Sequence, residues 1–377
     1  IDRSRGLGDV YKRQGWNLLS NLEFTSISVS NDGGVVWGAN KNGASGEKTW
    51  YTFRNGNSYT PWTKSTGNLN QIHVSGDGSV VWGITNDDNG HAYYNIRQPG
   101  SSWLTHWKRP SNGGDEMKFR SISVSNDGGV VLGVRNGGGK DETWYTFRDG
   151  DSYTEWRQLS HEGRNSYITG QLGFRQISVS GDGSVVWGNT GGYIGYAYYS
   201  IRQDRQDRPW SSWNLLNATV PGILSFRTIS LSDDGGVVFG LRNSFFSFTA
   251  RDQTWYTFRN GNSYSAWRQL EGTIRQIHVS GDGSVVWGIN NNGNAYYSIR
   301  QDSQDKPWST WNRLGQDNLK FRSISVSNDG GIVWGVRNGG GPDQTWYTFR
   351  NGDSYTEWRQ LSELMRQIHV SGDGSVV

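Results

Sequence analysis

Eight aspartates recur at one position of a repeated motif, and carboxylates serve widely as acids, bases and metal ligands. They are Asp32, Asp77, Asp127, Asp182, Asp234, Asp282, Asp329 and Asp373. Each stands before a glycine, in an Asp-Gly turn where the carboxylate usually accepts a hydrogen bond from its own backbone. A calcium site needs several acidic residues at alternating positions, whereas each turn offers one. We therefore predict that these aspartates stabilise turns and carry no chemistry.

Three histidines recur in the same motif, within the segment "QIHVS", at His73, His278 and His369. Ser178 takes this place in the remaining copy of the segment, which argues against an essential metal ligand or base. The chain contains no cysteine, which excludes disulfides, thiol catalysis and cysteine-based zinc sites. The sequence accordingly predicts no catalytic residue, no metal site and no cofactor.

The elements that carry these residues are short hairpins. The segment "SISVSNDGGVVWG", which begins at Ser26, has seven counterparts at spacings of 44 to 55 residues, the last of them cut off at Val377. Alternating apolar residues predict strands, and the Asp-Gly step predicts a tight turn between them. Segments such as "TWYTF" at Thr49 and "SYTEWRQL" at Ser152 supply a third and a fourth strand. Nothing in the unit has a helical period.

Repeats of this length and strand content are typical of propeller blades. We predict an all-β fold, a β-propeller of four-stranded antiparallel blades, about eight in number, with seven complete and one truncated at the C-terminus. The units alternate between "SNDGG" with "TWYTF" and "SGDGS" with "AYYSI". This alternation indicates that a segment of two blades was duplicated.

The first residues fit none of the repeats. Residues 4–14, "SRGLGDVYKRQ", resemble the translation of a sequencing adapter. We predict that residues 1–14 are non-native and that residues 15–377 form a single propeller domain with a truncated C-terminus. The chain has a net charge of +3, and residues 1–14 contribute four basic and two acidic residues. The remainder is near neutral without a basic stripe, so nucleic acid is not an expected partner. No apolar run is long enough for a transmembrane segment.

The repeat resembles the tectonin-type propeller repeat, a lectin-like family that includes tachylectin-related proteins. The resemblance rests on "WNLL" at Trp16, "ISVS" at Ile27, "DGG" at Asp32 and "VVWGAN" at Val35, and it extends over 15–377. It implies a propeller that binds glycans. The sequence departs from the pattern where the tryptophan of the second strand or the asparagine after it is replaced, at Leu132, Phe239, Arg135, Arg242 and Arg337.

The same turns also resemble the Asp-box of sialidases. Ser30, Asp32, Gly34 and Trp37 fit that motif, and Val36 stands where threonine is expected. In that family the box is a structural hairpin, so the match does not by itself imply hydrolysis.

The chain has 20 tryptophans. Those of the Trp-x-x-Leu segments and of the second strands are predicted to pack between blades, because aromatic side chains bury large areas. Four others follow Asn/Gly-rich loops, where an indole can stack on a sugar ring: Trp50, Trp144, Trp255 and Trp346. Polar side chains that can bind sugar hydroxyls beside them are Asn40, Arg135, Arg242, Asn290 and Arg337. Packing and ligand binding are both open for the four tryptophans.

Three functions fit this sequence. The first, which we predict, is a multivalent carbohydrate-binding protein without catalysis, whose partners are glycans on a dense surface such as a microbial cell wall. The second is a protein-interaction scaffold, for which the aromatic loop Phe245–Phe248 is a candidate surface. The third is a glycoside hydrolase, which would need a unique pair of carboxylates. Glu155 and Glu357 recur in the fourth strand, but Pro61 and Ala266 replace them in other units.

Overall fold

The computed structural model describes most of the chain. The described residues are 22–40, 48–85, 90–98, 100, 102–103, 106–111, 117–135, 142–159, 173–190, 195–206, 208–216, 224–242, 253–316, 318–337, 344–364 and 368–376. All regular secondary structure in these ranges is β-strand, and it forms seven antiparallel sheets. The predicted adapter segment 1–14, the segment at Trp16 and the Phe245–Phe248 loop lie outside them.

The described residues fall into two compact units, 22–216 and 224–376. The first unit contains blades 1 to 4. Blade 1 consists of β1 (Phe24–Val29), β2 (Val35–Asn40), β3 (Thr49–Asn55), β4 (Ser58–Tyr59) and β5 (Thr63–Ser65). Blade 2 consists of β6 (Leu69–Val74), β7 (Val80–Thr85), β8 (Ala92–Gln98) and β9 (Ser102–Trp103). Blade 3 consists of β10 (Phe119–Val124), β11 (Val130–Arg135), β12 (Glu142–Asp149), β13 (Ser152–Tyr153) and β14 (Arg157–Gln158). Blade 4 consists of β15 (Phe174–Val179), β16 (Val185–Thr190), β17 (Ala197–Ile201) and β18 (Asn214–Leu215).

The second unit contains blades 5 to 7. Blade 5 consists of β19 (Phe226–Leu231), β20 (Val237–Arg242), β21 (Thr254–Asn260), β22 (Ser263–Tyr264) and β23 (Arg268–Leu270). Blade 6 consists of β24 (Gln276–Val279), β25 (Val285–Ile289), β26 (Ala295–Ile299) and β27 (Asn312–Leu314). Blade 7 consists of β28 (Phe321–Val326), β29 (Ile332–Arg337), β30 (Gln344–Asn351), β31 (Ser354–Tyr355) and β32 (Arg359–Leu364).

Each sheet is built from hairpins between neighbours in the sequence, as predicted, and its second strand is covered on both faces. In β11, Val130 to Val134 are all buried, which explains why this strand reads as a continuous apolar run. Gly133 has a steric role there, because a Cβ at this position would lie 2.4 Å from the ring of Phe119. The glycine of the second strand thus makes room for a large apolar side chain at the start of the blade, which is phenylalanine in blade 3 and leucine or isoleucine in blades 2 and 6.

The Asp-Gly turns are closed by their own side chains. In blade 3, Oδ1 of Asp127 accepts the hydroxyl proton of Ser125 at 2.6 Å and the N–H of Gly129 at 2.7 Å. Gly128 between them has a φ of 65°, a conformation that favours glycine. Equivalent bonds to the carboxylate recur in all eight turns. This confirms that the aspartates stabilise turns.

The tips of these turns explain why the units alternate. Gly281, at the tip of blade 6, lies between Asp233 of blade 5 and Asn328 of blade 7, and Nδ2 of Asn328 donates to Oδ2 of Asp233 at 2.9 Å. A Cβ on Gly281 would lie 2.6 Å from that oxygen, so this position has no room for a side chain. Gly76 lies between Asn31 and Asn126 in the same way. Even-numbered blades therefore carry glycine where odd-numbered blades carry asparagine or aspartate.

Serines of the first strands bond neighbouring blades to each other. The hydroxyl oxygen of Ser123 in blade 3 accepts the backbone N–H of Val179 in blade 4 at 3.0 Å. The same bond leads from blade 1 to blade 2, from blade 5 to blade 6, and from blade 7 to Val370. The first strands of blades 2 and 6 have histidine at the serine position, so those two blades cannot make this serine bond.

The aromatic side chains fill the spaces between blades. Trp82 of blade 2 is fully buried, with ring centroids 5.6 Å from Trp156 and 4.7 Å from Tyr153 of blade 3. Trp37, Trp187, Trp287 and Trp334 of the second strands are likewise buried. The predicted packing role of these tryptophans is confirmed.

The count of blades differs from the expectation. After blade 7, residues 368–376 form one more Asp-Gly turn, in which Ser371 bonds Asp373 at 2.7 Å, but they contain no strand. Without a paired second strand the turn does not make a sheet. Seven blades are present in the described part of the chain, and the expected eighth, truncated blade is not shown.

Candidate functional site

The predicted binding residues lie where the second strand of a blade ends and the third begins. In blade 3, Arg135 is the last residue of β11 and pairs in register with Glu142, the first residue of β12. Trp144 follows two residues later, so its side chain points to the same face of the strand as Glu142. The hairpin thus brings an arginine, a carboxylate and an indole together.

Glu142 holds both partners in blade 3. Its Oε2 accepts a hydrogen bond from Nη1 of Arg135 at 3.2 Å and from the indole N–H of Trp144 at 3.1 Å. The guanidinium carbon of Arg135 lies 5.9 Å from the centroid of the Trp144 ring, which is within cation–π range. Both side chains therefore have a fixed orientation.

Blade 5 repeats this arrangement with glutamine in place of glutamate, and blade 7 repeats the bond between the arginine and the glutamine, whereas the indole N–H of Trp346 has no hydrogen-bond partner among the described residues. In blade 5, Oε1 of Gln253 accepts Nη1–H of Arg242 at 2.9 Å and the indole N–H of Trp255 at 3.3 Å. In blade 7, Oε1 of Gln344 accepts Nη1–H of Arg337 at 2.8 Å. We call these three groups the Arg–Trp clusters: Arg135, Glu142 and Trp144 in blade 3, Arg242, Gln253 and Trp255 in blade 5, and Arg337, Gln344 and Trp346 in blade 7.

The Arg–Trp clusters differ in the exposure of the indole. Trp144 and Trp346 are half-buried, whereas Trp255 is only 3% exposed. In blade 7, Nη2 of Arg337 also donates to the carbonyl of Asn318 at 3.2 Å. In blades 3 and 7, part of the indole surface is therefore exposed to solvent beside an arginine whose orientation is fixed by a hydrogen bond. In blade 5 the indole of Trp255 is buried.

The two remaining predicted positions have no arginine. In blade 1, Asn40 stands where the Arg–Trp clusters have arginine, its N–H donates to the carbonyl of Lys48 at 2.6 Å, and Trp50 is half-buried. In blade 6, Oδ1 of Asn290 accepts the N–H groups of Asn292 and Asn294 at 3.0 and 2.9 Å. Asn290 therefore closes its own loop, and it is not brought next to any of the four predicted tryptophans.

Sequence reasoning missed Glu142, Gln253 and Gln344. Each stands two residues before the tryptophan of the third strand, on the same face, and the signal that reveals them is this spacing together with the arginine at the end of the preceding strand. Their oxygens are what orient the arginine in all three Arg–Trp clusters.

The histidines of the first strands are not members of the Arg–Trp clusters. Nε2 of His278 lies 3.3 Å from Nε2 of Gln276. Desolvation by burial, and then the charge of His369, lower the pKa of His278 to about 4. Burial also lowers the pKa of His369. Both rings are therefore neutral at neutral pH.

No group of three or more histidine, aspartate or glutamate side chains within the described ranges could hold a metal ion. In the same ranges, no helix is long and apolar enough to cross a membrane.

Antiparallel blades with a path of four strands, to which the odd-numbered blades add a short fifth strand, define a β-propeller repeat protein. The model of the Tectonin domain matches residues 8–241 and 220–377. The chain therefore belongs to the tectonin family. No curated protein matches the sequence.

Solved structures share the fold at low identity. The Dos1 propeller is 8% identical with a TM-score of 0.57, over 94% of this chain and 88% of that one. The periplasmic gluconolactonase PpgL of Pseudomonas aeruginosa is 15% identical with a TM-score of 0.52, over 88% and 95% of the two chains. The Cps50 (Swd1) propeller of Myceliophteria thermophila is 9% identical with a TM-score of 0.50, over 84% and 90%. At these identities the likeness concerns the fold alone.

Proposed function

We propose that this protein is a multivalent carbohydrate-binding protein that recognises glycans without catalysis. The observation that carries the proposal is the Arg–Trp cluster, which recurs in blades 3, 5 and 7 with the arginine held by a glutamate or glutamine. The tectonin family to which the chain belongs is consistent with this function.

The chemistry of the Arg–Trp cluster suits a sugar. A partly exposed indole can pack on the apolar C–H face of a pyranose, and a guanidinium has five N–H donors in a fixed fork for hydroxyl or acidic groups. In blade 3 Glu142 takes one N–H of Arg135 and fixes the plane of the fork. Donors whose orientation is already fixed lose less conformational entropy when a ligand binds.

Binding at several blades gives the protein avidity. A single cluster with one half-buried indole offers a small contact area, and we expect its affinity for a free sugar to be weak. Equivalent sites on one chain can engage a dense array of glycans together, which raises the overall affinity by a factor of about 10² to 10⁴. A surface coated with repeated glycans is therefore the preferred target.

The recurrent carboxylates do not suit a glycosidase. Hydrolysis of a glycoside uses a pair of carboxylates, one of them a proton donor, on either side of the scissile bond. The turn aspartates are each bonded to a serine hydroxyl and a backbone N–H, as Asp127 is to Ser125 and Gly129. Glu142 is bonded to an arginine and an indole. These bonds support a binding function in preference to hydrolysis.

A glycan array tests the proposal. We expect the protein to be retained on a limited set of related glycans, and retention to fall with Trp144→Ala and with Trp346→Ala. Trp62→Ala is the matched control, because Trp62 is also half-buried but packs on Phe24 at 4.7 Å and belongs to no Arg–Trp cluster. A folded protein that no glycan retains would contradict the proposal and leave a protein-interaction scaffold as the alternative.

A further inference from the structure

A second group of polar residues lies before the third strand of blades 6 and 2. In blade 6, Asn294 immediately precedes β26 and is only 8% exposed. Its Oδ1 accepts Nζ–H of Lys320 at 2.6 Å and Nη2–H of Arg313 at 3.3 Å. Two cationic side chains thus converge on one buried, uncharged amide oxygen.

The backbone brings these three residues together. Arg313 in β27 pairs in register with Tyr296 of β26, which places it beside Asn294. Lys320 immediately precedes the first strand of blade 7, and that strand is joined to the loop of blade 6 by a bond of 2.7 Å from the N–H of Phe321 to the carbonyl of Gly293. The site therefore lies where blade 6 meets blade 7.

A third cation contacts the segment that leads to Lys320. Nη2 of Arg337 donates to the carbonyl of Asn318, two residues before Lys320. In blade 7 the partner that orients Arg337 is the uncharged Gln344. Arg313 is exposed and Lys320 is half-buried, so solvent reaches the pair.

Blade 2 repeats the arrangement at equivalent positions. His91, only 6% exposed, immediately precedes β8, and its Nδ1 lies 3.1 Å from Nη2 of Arg109. Lys118 pairs with His91 through an isolated bridge, and the N–H of Phe119 donates to the carbonyl of Gly90 at 2.8 Å. Blade 4 lacks both cations, because Leu215 and Ser225 stand in their places.

We propose that the Arg313–Lys320 pair of blade 6, and more weakly the Arg109–Lys118 pair of blade 2, binds a carboxylate or sulfate group carried by an acidic polysaccharide. Nη2 of Arg313 and Nζ of Lys320 both lie within hydrogen-bonding distance of the same oxygen, so an oxyanion placed beside it can accept charge-assisted hydrogen bonds from both. The inference rests on the proposed glycan-binding function and names the class of glycan. The blade 2 site is the weaker one, because Glu142 pairs with Arg135 in the adjoining blade.

The test compares two forms of one polymer, immobilised polygalacturonate and its fully methyl-esterified form, which differ only in the charge on the carboxyl group. We expect retention on the acid form to exceed that on the ester by at least about tenfold. Arg313→Leu with Lys320→Ser, which copies the residues of blade 4, is expected to remove most of that preference. Arg109→Leu with Lys118→Ser is expected to remove less.

The control is a double variant that removes two positive charges outside the proposed site. Lys306→Ser with Arg205→Ser deletes two exposed cations from loops that follow the third strands, away from Asn294 and His91, and is expected to leave the preference unchanged. At equal ionic strength, inorganic phosphate is expected to release more protein from the acid form than chloride does.

The outcomes separate the two proposals. If the protein binds glycans on the array but retains no preference for the acid form, or if the control and the Arg313–Lys320 variant lose it equally, the oxyanion site is wrong and the glycan-binding function stands. If wild-type protein is retained by no glycan, acidic or neutral, the proposed function itself is wrong.

Discussion

The indole N–H of Trp144 donates to Oε2 of Glu142 at 3.1 Å. Because Oε2 also accepts a bond from Arg135, one side chain sets the orientation of an aromatic ring and a cation. In blade 5 the amide oxygen of Gln253 does the same for Arg242 and Trp255. The role of this residue is therefore to accept two hydrogen bonds, and a negative charge is not required for it.

The first prediction concerns this acceptor. Glu142→Gln is expected to change the free energy of unfolding by less than about 1 kcal/mol, because glutamine keeps the oxygen that both donors need. Glu142→Leu is expected to cost about 1–3 kcal/mol, because the half-buried N–H groups of Trp144 and Arg135 lose their acceptor. Urea denaturation of both variants measures the difference. Equal losses for glutamine and leucine would show that the charge and not the acceptor matters.

The second prediction concerns the turn tips. Gly281→Ala is expected to destabilise the protein by about 1–3 kcal/mol, because the new Cβ would overlap Oδ2 of Asp233. Shortening the neighbour in the double variant Gly281→Ala, Asp233→Ala is expected to recover part of this loss. Gly352→Ala is the control, since its Cβ would meet nothing within 4 Å and only its φ of 59° opposes alanine. Thermal unfolding measures both variants. If Gly352→Ala lowers the melting temperature more than Gly281→Ala does, the explanation of why the turn tips alternate between glycine and larger residues is wrong.

The third prediction concerns pH. Burial, together with the charge of His369, lowers the pKa of His278 to about 4, below its ordinary value of about 6.5. His278 therefore binds a proton more readily in the unfolded chain than in the folded one. Its contribution to the free energy of unfolding is fully present above the ordinary pKa and is lost as the pH falls towards 4. His278→Ser copies Ser178 of blade 4 and is expected to reduce this loss. Urea midpoints at about pH 7 and about pH 4.5 for both proteins test it, and identical pH dependence would contradict it.

Most of the fold could be predicted from the sequence because its signals are local and repeated. The Asp-Gly step, the alternation of "SISVS" and the continuous apolar run that contains Val130 and Val131 each specify one element, and repetition removed the ambiguity of any single copy. The eighth blade was expected because the hairpin motif recurs at Ile368. A hairpin motif becomes a blade only when its strands pair, which residues 368–376 do not show.

Less of the candidate site than of the fold could be predicted from the sequence. The arginines and tryptophans were found by their type and their place after loops, but the residue that joins them was not, because a lone Glu142 or Gln253 looks like an ordinary polar strand residue. The burial of Trp255 depends on the packing of neighbouring elements, which the "TWYTF" segment alone does not specify. The convergence of Arg313 and Lys320 on Asn294 spans two blades, which no local pattern encodes.

The central claim is that separate blades bind glycan independently. The most direct test is calorimetric titration of the intact protein with a short, soluble form of the glycan retained best on the array, followed by the same titration of Trp144→Ala and Trp346→Ala. The account predicts at least two sites per chain in the wild type, one fewer in each variant, and a disproportionate loss of retention on a densely coated surface. A wild-type stoichiometry that neither variant changes would contradict it.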